Sequence, residues 1–324
     1  MSTHADKLWV KAPAKVNLFL EVLRKRPDGY HDIRSILVPV SLWDVLRVER
    51  TDGEIETIIE SLDMTLLEGS DHVEEGLLAG LDSGENLATR AAQTLKAATG
   101  YAGGARIFLR KRIPIGGGMG GGSADAAGAL AALNRLWQTN LSPEAICRIG
   151  ARVGCDVPAM VAGGAVCVEG IGEKLTPLRV PTEPAGSGWW LVLLNPGFGI
   201  ATRDIYRRCS PSLTFEDNRF NKMMAALEEG SVAAAAEALF NGLQLTVVRK
   251  YPLIGILLEA MQAAGALGTL VSGSGATIFG LARDEEHARR IVCNLRAAVE
   301  MPTWLAVVKT LPDGVMVAHG PLEA

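Results

Sequence analysis

Between Arg112 and Trp137 the chain reads RIPIGGGMGGGSADAAGALAALNRLW, with six glycines in seven positions running straight into an alanine-rich stretch. Glycines at that density let backbone N–H groups converge on one point with no Cβ in the way. The alanine-rich stretch is strongly helix-forming, and Ser123 stands where an N-cap is expected. A helix N-terminus carries unpaired donors and partial positive charge. Loop and helix together therefore suit a polyphosphate held by backbone rather than by cationic side chains. The preceding GARIFLRKRIP reads as the strand that delivers the chain into the loop.

Two familiar phosphate loops are poor matches. Gly116, Gly118 and Gly121 formally satisfy G-x-G-x-x-G, the dinucleotide fingerprint. That motif opens a first βαβ unit and is followed about 20 residues later by an acid at a strand end. Here the loop starts after residue 110, and at the corresponding distance the chain reads NLSPE, a helix start. A P-loop needs a lysine inside the motif, and none lies between Arg112 and Trp137. A tight turn with no ligand remains open at this point.

The rest of the chain reads as α+β. LWVKAPAKVNLFLEVL (Leu8 to Leu23) is one or two strands broken near Pro13, RPDGYHD is a turn, and SILVPVSLWDVLRVER is strand again. Residues 52–85 hold eleven acids and no Lys or Arg, and are expected to be an irregular surface insertion. A helix is expected from Ser83 to its glycine stop at Gly100, and another behind Ser142 and Pro143. CDVPAMVAGGAVCVEGIGEKLTPL reads as a turn and a hairpin. Pro181 to Gly188 is breaker-rich and marks the boundary between two domains, 1–180 and 181–324. Beyond it come the strand WWLVLLNP, helices, the second glycine turn VSGSGATIFGLA, the helix DEEHARRIVCNLRAAV and a last strand, TWLAVVKTL.

Composition narrows the function classes. A net charge of -4 over 324 residues gives no nucleic-acid footprint. Outside the acidic stretch the chain has an excess of seven cations, which suits an anionic small molecule. Cys147, Cys155, Cys167, Cys209 and Cys293 are odd in number and form no C-x-x-C pair, which fits a reducing, cytoplasmic setting rather than a disulfide or zinc framework. The charge-free span Ala260 to Ala282 is too rich in Gly, Ser and Thr for a membrane helix.

Three segments in order, APAKVNLFLEV, PIGGGMGGGSADAA and VSGSGATIFG, resemble the three-motif signature of the GHMP small-molecule kinases. PAKVNLFLEVLRKRPDGYHDIRSI, GCDVPAMVAGGAVCVEGIGEKLTPL and LLNPGFGIATRDIY narrow the resemblance to the branch acting on 4-diphosphocytidyl-2-C-methylerythritol in the non-mevalonate isoprenoid route. The likeness covers almost the whole chain. It implies a two-domain fold, ribosomal-S5-domain-2-like at the N-terminus and a ferredoxin-like α/β sandwich at the C-terminus. It departs from the family in the acidic stretch, in Ala124 where many relatives carry a second serine, and in the reading SGSG.

The resemblance also assigns roles. Asp156 corresponds to the catalytic aspartate, which would accept or orient the substrate hydroxyl proton, and Lys15 to the lysine that keeps it ionised and stabilises charge in transfer. ATP would lie on Pro114, Ile115, Gly116, Gly117, Gly118, Met119, Gly120, Gly121, Gly122, Ser123 and Ala124, with Asn86 near the adenine. Asn17, Tyr30, His31 and Thr202 match substrate-contacting positions, Tyr30 and His31 at the cytidine ring. Gly273, Ser274 and Gly275 would form a turn closing on the phosphate loop. Mg²⁺ is expected to travel with ATP. No dedicated metal cage, nucleic acid or membrane is implied, and a monomer or homodimer is expected. His4, His72, His287 and His319 belong to no motif and are expected at the surface. Two alternatives stand: another GHMP kinase of mevalonate or homoserine type, and an inactive binding protein on the same fold.

Overall fold

The computed structural model describes residues 6–62, 86–179, 188–209 and 218–322. Strand β1 (Lys7–Lys25) pairs antiparallel with β2 (His31–Thr51) along nearly its whole length. Leu8 to Leu23 is thus one strand, and the ladder shifts register at Pro13/Ala14, where proline has no N–H to donate. The RPDGY turn joins the two strands, with Gly29 at φ +86°.

Strand β3 (Ile55–Leu62) corrects the expectation of an irregular acidic insertion. Ile55 and Ile59 pack toward the core, while Glu56 meets Arg106 and Glu60 meets Arg110 on the neighbouring strand, and Glu60 also reaches Arg47 on β2, two strands over. Alternation and cross-strand charge pairing make the segment a strand despite its acidity. Residues 63–85 of that stretch, with His72 and the expected helix start at Ser83, lie outside the described residues, as do His4 and residues 181–187 of the linker.

Helix α1 (Leu87–Thr99) begins at Asn86, whose Oδ1 accepts the Ala88 N–H at 2.8 Å, and stops at Gly100 in the left-handed region. After β4 (Gly104–Lys111) comes α2 (Gly121–Leu136). Its N-cap is Gly120 at φ +69°, with no side-chain cap bond. Ser123 is therefore not the cap but a residue of the first turn; the glycine loop carries the chain into the helix before the serine is reached. Helices α3 (Pro143–Ala151) and α4 (Val157–Ala162) follow, α3 with the expected Ser142 cap, then the hairpin β5 (Ala165–Gly170) and β6 (Lys174–Leu178).

The second half runs β7 (Trp190–Asn195), α5 (Thr202–Arg208), α6 (Arg219–Glu229), α7 (Val232–Ala238), β8 (Phe240–Asn241), α8 (Gln244–Lys250) and α9 (Pro252–Ala263). It continues through β9 (Thr269–Val271), β10 (Ile278–Ala282), α10 (Glu285–Ala298), β11 (Trp304–Lys309) and β12 (Met316–Ala318). The small sheet has the order β11-β7-β10-β9, and the large one β12-β1-β2-β4-β3 with β5, β6 and β8 attached. Two strands from the second half, β8 and β12, thus pair with β1.

Three large apolar clusters hold these layers. One lies between the large sheet and helices α1 and α2, a second joins the two sheets, and a third packs β7 and β10 against α9 and α10. His287 also departs from expectation. It is buried in the first turn of α10, where its Nδ1 accepts the Arg283 N–H at 3.2 Å, because the turn into the helix needs that acceptor. Among the described residues, no helix is long and apolar enough to cross a membrane.

Candidate active site

The glycine loop lies where β1, the second glycine turn and the segment after β7 meet. Its carbonyls face those neighbours. Gly116 O accepts from Ile200 N–H at 2.9 Å, Gly117 O from Thr277 N–H at 3.1 Å, and Met119 O from Lys15 N–H at 3.0 Å. Gly118 O accepts from both the Lys15 ammonium and the Ser272 hydroxyl, each at 3.1 Å. Four successive carbonyls are thereby turned outward and tied down. Among the described residues, the N–H groups of Gly118, Met119, Gly120, Gly121, Gly122 and Ser123 have no acceptor, and the first helical bond is Ala124 N–H to Gly120 O at 2.9 Å. That is the electrostatic signature of an anion cradle.

Close packing explains why the loop is glycine. A Cβ on Gly118, which sits at φ +76°, would lie 2.1 Å from the Ser272 carbonyl oxygen, and one on Gly117 would lie 2.7 Å from Thr277 Oγ1. Gly120 abuts the aliphatic stem of Lys15.

Lys15 is buried on β1 and Asp156 is half-exposed at the start of α4. Their charged atoms are 3.5 Å apart. The Lys15 ammonium also donates to Asn17 Oδ1 at 2.7 Å, and Asn17 Nδ2 donates in turn to Ser35 Oγ at 2.9 Å. The Asp156 carboxylate makes no cap bond to its own helix, so it faces Lys15 and the cleft.

That cleft measures about 1110 Å³. It is lined by Lys15, Asn17, Tyr30, His31, Asn86, Pro114, Ile115, Gly116 to Gly122, Ser123, Asp156, Thr202, Gly273 and Ser274. Ala124 and Gly275 do not line it: both are turned into the packing, Ala124 on the core face of α2 and Gly275 in the closing turn. The closing turn reaches the cleft through Ser274, whose hydroxyl is 2.9 Å from that of Thr202.

Tyr30 and His31 line the same cleft as the loop's helix start. Tyr30 is 55% exposed, whereas His31 is buried and its Nε2 has no hydrogen-bond partner. Burial, with Lys25 nearby, holds the His31 imidazole below its ordinary range, so the ring is neutral at pH 7. A neutral imidazole with an open nitrogen suits a ligand that must be met by one hydrogen bond.

Sequence reasoning missed two components. Tyr206 on α5 lines the cleft with its ring 5.4 Å from that of His31, and burial beside Asp156 pushes its hydroxyl up, keeping it neutral. An aromatic one turn beyond Thr202 was a visible signal, since residues 202 and 206 share a helix face. The second is a buried cluster: Lys111 donates to Asp44 and, at 2.6 Å, to Asp125. Asp44 Oδ1 also accepts the N–H groups of Arg112 (2.6 Å) and Ile113 (3.0 Å), fixing the entry to the loop. Burial disfavours charge on Lys111, but Asp125 and Asp44 outweigh it and raise the ammonium. Burial, opposed by Lys111 and reinforced by Asp44, pushes the Asp125 carboxyl up to about 8. Three residues so far apart in sequence gave no pattern to find.

The chain matches the family models "GHMP kinases N terminal domain" over residues 86–164 and "GHMP kinases C terminal" over residues 223–300. It is 39% identical over 290 residues to a 4-diphosphocytidyl-2-C-methyl-D-erythritol kinase of Pelotomaculum thermopropionicum, covering 89% of this chain and 94% of the relative. The protein of that name from Symbiobacterium thermophilum is 40% identical, with 93% and 99% covered. A crystal structure of 4-(cytidine 5'-diphospho)-2C-methyl-D-erythritol kinase aligns with a TM-score of 0.72 at 33% identity, covering 93% of this chain and 99% of the other. A homoserine kinase from Cytophaga hutchinsonii has the same TM-score at 18% identity over 98% of this chain and 99% of its own, which speaks to fold alone.

Proposed function

The chain belongs to the 4-diphosphocytidyl-2-C-methyl-D-erythritol kinases of the GHMP family, and we propose that it moves the γ-phosphoryl group of ATP to the 2-hydroxyl of 4-diphosphocytidyl-2-C-methyl-D-erythritol. One observation carries this reading: a single cleft brings together the free amides of the glycine loop, the Lys15–Asp156 pair, and the unpaired His31 nitrogen beside Tyr30 and Tyr206. The first holds a polyphosphate, the second meets a hydroxyl, and the third selects a base.

Phosphoryl transfer demands alignment and charge stabilisation more than covalent chemistry. The loop amides from Gly118 to Ser123 hold the transferred end of the triphosphate, and Asn86 lies on the adenine side. Asp156 accepts or orients the proton of the attacking hydroxyl. Lys15, fixed by Asn17 and Gly118 O, offsets charge gathering on the transferred oxygens. Asn17 and Thr202 shape the acceptor's path, and Ser274 with Gly273 closes it. Tyr30 and Tyr206 offer faces to the cytosine, and His31 its edge.

Among the described residues no group of three or more His, Cys, Asp or Glu could hold a metal. The oxygen donors in the cleft fit Mg²⁺ carried chiefly by the nucleotide, with the Ser123 hydroxyl and the Asp156 carboxylate as protein partners. Bound Mg²⁺ would neutralise phosphate charge.

We keep 1–180 and 181–324 as the two domains, with β8 and β12 of the second completing the sheet of the first, and the enzyme as a cytoplasmic monomer or homodimer. A coupled ADP-release assay over a panel of hydroxyl acceptors tests the function. Turnover with the cytidyl compound and none with mevalonate or homoserine is expected; the reverse would overturn it.

A further inference from the structure

Five cationic side chains line the cleft: Lys15, Lys25, Lys111, Arg203 and Arg207. Three are committed to acids. Lys15 faces Asp156, Lys111 is held by Asp44 and Asp125, and Arg207 donates to Asp204 at 2.7 Å. Lys25 and Arg203 have no acidic partner among the described residues. Their neighbours show that this is selective. Arg24 and Arg26 both bond Asp32, Arg26 also bonds Asp28, and Arg207, Arg208 and Lys250 all converge on Asp204. Where acids are so densely used, two unneutralised cations in one cleft leave a place for an external anion.

Their positions indicate which anion. Lys25 is the cross-strand partner of His31 at the end of the β1–β2 ladder, beside the base-selecting end of the cleft. Arg203 directly follows Thr202, whose hydroxyl meets Ser274 of the closing turn, and opens the helix that carries Tyr206. One cation thus adjoins His31 and the other adjoins Thr202, on the helix whose Tyr206 ring lies 5.4 Å from that of His31. The loop amides that serve the nucleotide triphosphate are those of Gly118 to Ser123, beside Lys15 rather than Lys25 or Arg203.

Resting on the acceptor reading above, we propose that Lys25 and Arg203 hold the diphosphate of the acceptor, and so make the site discriminate a nucleoside diphosphate from a bare nucleoside. Charge-assisted contacts to phosphate oxygens are the strong ones, and a guanidinium can make two of them in parallel.

The test is competition against the cytidyl acceptor by cytidine and by CDP, in the wild type, Lys25→Gln, Arg203→Gln and the double variant. The wild type is expected to prefer CDP. Each single variant should lose about 5- to 10-fold of that preference, the size of one exposed charge-assisted contact. Cytidine should bind all four proteins alike, and ATP affinity should not change. Lys25→Arg and Arg203→Lys should restore most of the preference, and added salt should erode it in the wild type. If the double variant keeps the wild-type CDP-to-cytidine ratio, or loses cytidine and CDP equally, this assignment fails while the base seat stands. If the wild type binds neither compound, the acceptor reading falls and takes this proposal with it.

Discussion

The Lys15 ammonium lies 3.5 Å from the Asp156 carboxylate, and the two partners differ sharply in exposure: 6% for the lysine side chain, 39% for the aspartate. The cation is fixed in the wall while the carboxylate can reach a ligand. Asp156→Asn should therefore retain ATP binding and lower kcat by about 10²- to 10⁴-fold, the usual worth of a positioned acid–base group. Lys15→Met should lower kcat too and disturb the loop through Gly118 O. Combining the two should cost less than the product of the separate losses, since each leaves the other without its function. Single-turnover kinetics with nucleotide binding measured separately would check this; unchanged turnover in Asp156→Asn would remove that residue from the chemistry.

Gly118 should tolerate no side chain. Its φ of +76° and the 2.1 Å approach of a would-be Cβ to the Ser272 backbone oxygen leave only displacement of the closing turn. Gly118→Ala is expected to raise KM for ATP far more than KM for the acceptor, with a stability loss of about 2–4 kcal/mol. Thermal melts with and without nucleotide would read both. Equal damage at the two substrates would mean that the loop does not belong to ATP alone.

His31 sets a pH limit. Its depressed affinity for a proton means that near pH 6.5 the unfolded chain binds more protons at this site than the native one. Its contribution is therefore present above that pH and lost as pH falls through the folded value. KM for the acceptor should be flat above pH 7 and climb only once pH falls below the ordinary imidazole range, while KM for ATP holds steady. His31→Gln should abolish the climb. A wild-type profile in which both KM values move together would point to some other group.

The Lys111–Asp44–Asp125 cluster makes a different pH prediction. Asp125 is raised to about 8, so between its unfolded range and that value the native state holds a proton the unfolded chain releases. Stability from this site declines as pH rises and is gone above about 8. From pH 6 to 8 the wild type should lose more Tm than Asp125→Asn, which cannot ionise. Lys111→Met, which strands the buried Asp44 carboxylate and leaves Asp125 without its donor, should cost about 3–5 kcal/mol. Differential scanning calorimetry across that window decides it; parallel Tm curves would place the relevant titration elsewhere.

What could be read ahead of the structure was local. Ser142 with Pro143, Gly100 as a stop, the strand WWLVLLNP and the helix starting at Asp284 follow from capping and periodicity, which act within a few residues. The misses share one cause: a contact across sequence outweighed a local signal. Ser123 looked like a cap, but left-handed Gly120, with Lys15 packed against it, starts the helix three residues earlier. Residues 55–62 looked irregular until Arg47, Arg106 and Arg110 supplied their charges. His287 found its use in a neighbouring turn. The cleft residues quoted from motifs came together, except Ala124 and Gly275, whose motif positions serve packing.

The tether between Gly118 and Ser272 has a consequence for the order of events during synthesis. The loop's carbonyl partner at Ser272 is made 154 residues later, and β12, which closes the edge of β1, is made later still. A growing chain that has already produced every glycine of the cradle has Lys15 for the carbonyls of Gly118 and Met119, but not yet Ile200 and Thr277 for those of Gly116 and Gly117. On the ribosome the nucleotide seat is therefore completed late, only after the second glycine turn has been made.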